Sequence, residues 1–142
     1  MWARGSAVAY PVANLVHLLG LVLLVGGIGI VDLRLIGLFR AIPAPALLRA
    51  LRPLAAGGLL LLAGSGVILF AADARSLVVN PMFQRKLAMI ALGLANILLF
   101  ERLWRRVDHW AWRIPTGARL AGLVSLAAWL FAAAFGRLIA YV

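Results

Sequence analysis

The sequence predicts an all-α fold, an integral membrane bundle of four transmembrane helices. Three observations carry this. First, 65% of the 142 residues are apolar and 13% are charged, where a soluble domain has about half apolar and about a quarter charged. Second, the apolar residues gather into four continuous runs rich in Leu, Ala and Gly, which fits helices and not the alternating strands of a barrel. Third, the charge lies between and beside these runs, with 14 Lys+Arg against 4 Asp+Glu and a net charge of +10. Basic residues in that position hold spans against anionic lipid and the cytoplasmic side. A mean hydropathy of +1.06 excludes a soluble enzyme, a disordered chain and a secreted disulfide scaffold. There is no Cys, which removes disulfides, thiolate metal sites and iron–sulfur clusters. No aromatic-plus-basic groove accompanies the charge, so the expected partner is the lipid bilayer and not nucleic acid.

The first helix is expected over about 10–40. Val12 to Val31 is free of charge, and Pro43 and Pro45 stop the helix. Only Arg4 precedes the run, which is long enough to span, so it reads as a membrane helix and not a cleaved signal. The second helix is expected over about 53–73, with Pro53 in its first turn and a charge-free run from Leu54 to Ala72. The third, about 81–107, opens on Asn80–Pro81, an N-cap followed by proline at the first helical position. Its apolar core, Leu87 to Phe100, is short. It spans if Lys86 snorkels at one end and Glu101–Arg102 sit in the interface at the other. The fourth, about 117–141, follows Pro115–Thr116–Gly117, with Thr116 as a candidate cap, and its apolar run from Leu120 to Val142 contains only Arg137. The whole chain, 1–142, reads as one transmembrane domain.

Counting Lys+Arg sets the orientation. The first and third loops hold Arg34, Arg40, Arg49, Arg52, Arg102, Arg105, Arg106, Arg113 and Arg119. The opposite side holds Arg4, Arg75, Arg85, Lys86 and Arg137. The first group should be cytoplasmic, with both termini periplasmic. Trp104, Trp110 and Trp112 then fall in the inner interfacial belt, and Tyr10 and Tyr141 in the outer one.

Polar groups within the spans are the candidate functional residues, because each costs free energy unless partnered. His17 lies on a stripe with Gly20, Leu24, Gly27, Val31 and Arg34, spaced by threes and fours, so it faces the bundle. Asn14 lies one turn before it. His17 either bonds a neighbouring helix or ligates an ion or handles a proton. Lys86, Met89, Gly93, Asn96 and Phe100 make a similar stripe on the third helix. Lys86 either snorkels or joins His17 in an outward-facing polar pocket with Asn14, Asn80 and Asn96, where Asp73 is near. Asn96 near mid-membrane needs a partner, and an interhelical hydrogen bond supplies one. At the other end Asp32, Arg34, Glu101, Arg102 and Arg105 form an expected interfacial charge network. Asp32 is expected to pair with Arg102 or Arg105, and Glu101 with Arg34. Gly57, Gly58, Gly64, Ser65 and Gly66 read as a close-packing face, as do Gly122, Ser125 and Gly136.

An inward histidine raises two cofactors. Haem b takes axial His or Met from facing helices. His17 and His109 lie near opposite faces of a bilayer about 30 Å thick, so they do not serve one haem. Met82, Met89, Lys86 or a second copy's His17 would complete the ligation. Cuprous copper at His17 with Met82 or Met89 is the other possibility. No HExxH, P-loop, GxSxG, Rossmann or paired catalytic carboxylates occur.

The runs His17-Leu-Leu-Gly20, Asp32-Leu-Arg34-Leu-Ile-Gly37 and Asn80-Pro-Met-Phe83-Gln-Arg-Lys86, with Asn96 beyond them, resemble small uncharacterised four-helix proteins of the bacterial inner membrane. Those are in turn loosely similar to the membrane part of CopD-like copper-resistance proteins. The resemblance implies a four-helix inner-membrane protein without an assigned activity. It singles out His17, Asp32, Arg34, Asn80, Lys86 and Asn96. The expected function is a non-enzymatic membrane protein with a polar pocket near His17 and Lys86 for a small ligand, ion or partner helix, alone, as a homo-oligomer or in a larger membrane complex. The alternatives are a haem b or copper protein and an oligomeric transporter or channel.

Overall fold

The computed structural model describes residues 8–104 and 113–141. All regular structure in these residues is helical. Helix α1 is Ala9–Ile36, α2 is Ala44–Ala72, α3 is Ala74–Val79, α4 is Pro81–Leu103 and α5 is Thr116–Leu138, continued by a 3-10 turn, Ile139–Tyr141. Three segments are long and apolar enough to cross a membrane: α1, α2, and α5 with its 3-10 turn. Helix α4 has 23 residues, about 35 Å at 1.5 Å per residue. Gln84, Arg85 and Lys86 lie near its start and Glu101 and Arg102 near its end. These polar ends shorten its apolar run to Leu87–Phe100, so length and composition alone do not establish the expected fourth span.

Several boundaries differ from expectation for local reasons. Helix α1 stops at Gly37 and not at the prolines beyond. Gly37 has φ 133°, and the amides of Gly37 and Leu38 both turn back to the Leu33 carbonyl, a glycine C-terminal stop. Helix α2 begins at Ala44, nine residues before the expected start at 53. Pro45 sits in the first turn, where no amide is required. Pro53 therefore lies inside the helix, where it has no N–H to give the preceding turn. The short α3 was not expected. The Asn80 cap is as expected: its Oδ1 accepts from the amides of Met82 and Phe83, at 2.9 and 3.4 Å. The end of the third helix expected at 107 lies outside the described residues.

The long helices pack antiparallel, in the spatial order α2, α1, α5, α4. Helix α1 meets α2 through paired glycines. A Cβ on Gly20 would stand 2.8 Å from the Gly58 carbonyl, and one on Gly58 would stand 2.6 Å from the Leu24 amide. Backbones this close admit no side chain between them. Helix α1 meets α5 where Gly122 lies against Leu35 and the Asp32 carbonyl. Helix α4 follows α5 from Lys86 beside Gly136, through Gly93 under the Trp129 ring, to Trp104 over Gly117. Helices α2 and α4 are not extensively packed, so the bundle has one open seam. The interior is small-residue rich, with Ala13, Ala55, Ala118, Ala128 and Ala132 buried. Large apolar side chains point outward instead, as Leu60 at 74%, Val22 at 67% and Leu98 at 65% exposure show. That distribution is the reverse of a water-soluble core and matches helices solvated by lipid tails.

Candidate functional site

Polar side chains gather at two heights in the bundle. The first is at the end where α1 begins. Ser65 Oγ lies 2.6 Å from the Leu61 carbonyl and 2.9 Å from His17 Nδ1. A hydroxyl has one proton, and the Leu61 carbonyl receives it. His17 Nδ1–H is therefore the donor to Ser65. In the neutral ring this leaves the Nε2 lone pair open. His17 is half-buried. The alkyl arm and Nζ of Lys86 lie along α5, 3.4 Å from the position of a Cβ on Gly136.

Of the other expected pocket members, Asn14 is exposed on α1. Asn80 is consumed by the α4 cap, and its amide reaches the Ile139 carbonyl at 3.5 Å. Asn96 makes the expected interhelical bond, its Nδ2 donating to the Ala121 carbonyl at 2.8 Å. Met89 is half-buried. No three His, Asp or Glu side chains converge among the described residues.

The second height is at the opposite end, where a cavity of about 260 Å3 lies between all four long helices. Leu24, Ile28, Leu48, Leu59, Ile97 and Phe100 give it aliphatic and aromatic walls; Asp32, Ser125, Asn96, Arg52 and Glu101 are its polar members. Neither His17 nor Lys86 lines it. Asp32 is 4% exposed. The Ser125 side chain lies beside it, and Asp32 Oδ2 is buried without any hydrogen-bond partner.

The charge network is rearranged from the expected couples. Glu101 pairs with Arg52, Oε1 to Nη2 at 2.7 Å, and not with Arg34. The Nη2 hydrogens point off this axis, so the contact is an ion pair and not a hydrogen bond. Arg34, 5% exposed, gives its Nε–H to the Ile42 carbonyl at 2.7 Å and so fastens the first loop. Arg102 is exposed and is not the Asp32 partner. Arg105 lies outside the described residues, as do His109, Trp110 and Trp112. The reason for the exchange is the early start of α2, which carries Arg52 along a helix to face α4 where a loop was expected. Sequence reasoning missed Arg52, and it placed Asp32 at an interface because it lies near the end of an apolar run. The signal for Asp32 was available: it is three residues before Leu35 and one turn beyond Ile28, on the buried side of α1.

Three segments long and apolar enough to cross a membrane are compatible with a helical membrane protein, and a largely apolar cavity lies between the helices. No protein-family model, curated protein or solved structure matches the chain.

Proposed function

We propose that the chain is a four-span protein of the bacterial inner membrane that binds a small ligand in the cavity between its helices. It acts as a binding protein and not as an enzyme. Support for the fourth span comes from the α4–α5 pairing: contacts run from Lys86–Gly136 to Trp104–Gly117, so α4 covers the height of a helix long enough to cross. Lys86 and Glu101 then reach the two interfaces. The excess of arginine around the first and third loops places that end, and the cavity near it, on the cytoplasmic side, with both termini periplasmic.

One observation carries the binding reading: a cavity reached by all four helices holds a buried carboxyl oxygen without a partner. Buried polar atoms left unsatisfied are costly and mark sites completed by something else. Ala56 lines the cavity and is exposed on the seam side, so Ala56→Trp fills the entrance without disturbing a helix contact. Protein purified from native membranes should carry a small molecule by native mass spectrometry, and Ala56→Trp of equal melting temperature should lose it. Identical small-molecule content in the two proteins overturns the reading.

A second reading is favoured by His17. Its Nδ1–H is anchored on Ser65, the arrangement that fixes a metal-ligating tautomer and leaves Nε2 as donor. On this reading Nε2 holds haem b or copper, with Met89 or a second copy giving a further ligand. A Soret band or bound copper that disappears in His17→Ala supports it, and a colourless, copper-free sample from native membranes refutes it.

A further inference from the structure

We propose that the cavity takes a lipophilic organic cation, an amine with an aromatic or aliphatic body of about two rings, which enters sideways from the bilayer through the α2–α4 seam. This rests on the cavity reading above and adds the class of ligand and its route.

Charge points to the class. Three ionisable side chains line the cavity. Arg52 and Glu101 neutralise one another as an ion pair. Asp32 is left, with Ser125 as its neighbour and Oδ2 unpartnered. An ionised carboxyl in apolar surroundings requires a counter-charge, and without one it holds its proton; none of the described side chains supplies that charge, so a cationic ligand would be the group that does. Arg34, two positions along the same helix, points away because residues two apart do not share a face. It is also occupied by the Ile42 carbonyl.

The walls point to the rest. A bare metal cation needs about six oxygen ligands, whereas the lining here is overwhelmingly hydrocarbon. An organic cation places an N–H or N–CH3 group at Asp32 and its body against Leu24, Ile28, Leu59 and Ile97. A dry cavity of about 150 Å3 admits benzene. The cavity here, about 260 Å3, has room for a larger body.

The route follows from the helix order. The α1–α2 and α1–α5 contacts are closed by glycines against backbone atoms, and the α4–α5 contact by glycines against the side chains of Lys86, Trp129 and Trp104. On the fourth side the described residues show two direct ties, near its ends: Phe70 stacks on Phe83 at 5.7 Å, and Arg52 pairs with Glu101. Between these two ties the wall is open toward the lipid.

The test uses the full chain in nanodiscs with three probes of one shape: 1-naphthylmethylammonium, neutral 1-naphthylmethanol and anionic 1-naphthylacetate. The cation should bind saturably, about tenfold or more tighter than the other two. The near-isosteric Asp32→Asn, with an unchanged melting temperature, should bind the cation no better than the alcohol. Ala56→Trp should lose the cation. Equal affinity for cation and alcohol, both lost in Ala56→Trp, overturns the cationic class and leaves the cavity reading standing. Binding of no probe, or binding that Ala56→Trp does not reduce, overturns the cationic ligand together with the cavity as its site. Should Asp32→Asn fail to fold, Asp32→Glu serves: it should retain the preference for the cation over the alcohol, and equal affinity there also overturns the class.

Discussion

Single polar residues in this chain are legible from sequence when their partner is backbone. Asn80 is read from Asn-Pro alone, because an N-cap needs nothing beyond the next three residues. Asn96 is read from its depth, because a buried amide must find a carbonyl, and here it finds that of Ala121. Asn96→Leu should therefore lower stability by about 0.6–2 kcal/mol, the range for interhelical bonds in membranes; thermal melting in detergent measures it. Asn80→Ala should cost about 1 kcal/mol through the lost cap, by the same measurement. Residues whose partner is another side chain are not legible in this way. Glu101 meets Arg52 and not Arg34, and no local rule distinguishes one arginine from another across a helix gap. That ion pair is more than 40% exposed on each side, so Arg52→Ala should change stability by less than about 1 kcal/mol.

Among elements, the helices themselves were plain and their ends were not. Charge-free runs mark the interiors, but the first loop was misjudged at both edges. Proline reads as a stop in the sequence, whereas Gly37 ends α1 by its positive φ and Pro45 opens α2. The glycines read as packing faces meet a neighbour on α1 and α5, and only in part on α2. Gly20, Gly27 and Gly58 face a neighbour within 3.5 Å, but Gly57 and Gly64 face open space. Periodicity tells which residues share a face and not which face meets a partner. Two substitutions separate these cases. Gly58→Ala drives a methyl group into the α1 backbone and should destabilise by about 1–3 kcal/mol. Gly57→Ala meets nothing and should be neutral or stabilise by up to about 1 kcal/mol through helix propensity. Chemical or thermal unfolding in detergent compares the pair directly.

For the molecule as a whole, composition announced a helical membrane protein, and antiparallel packing of the long helices follows from short connections. The cavity was not legible, because it depends on the one pair of helices that fails to close. Orientation remains an expectation with a direct check: since the chain has no Cys, a single Cys in place of exposed Ala41 should be labelled only from the cytoplasmic side, and labelling from the periplasm reverses the topology. The uneven closure has a mechanical consequence. The α1–α2 and α4–α5 pairs are two stiff covers of a book, and the contact of Gly122 with Asp32 and Leu35 is its spine. The fore-edge has two clasps, one aromatic and one ionic. Asp32 is printed beside the spine, so whatever prises the covers apart acts with leverage on the carboxyl group, and high salt loosens only one clasp.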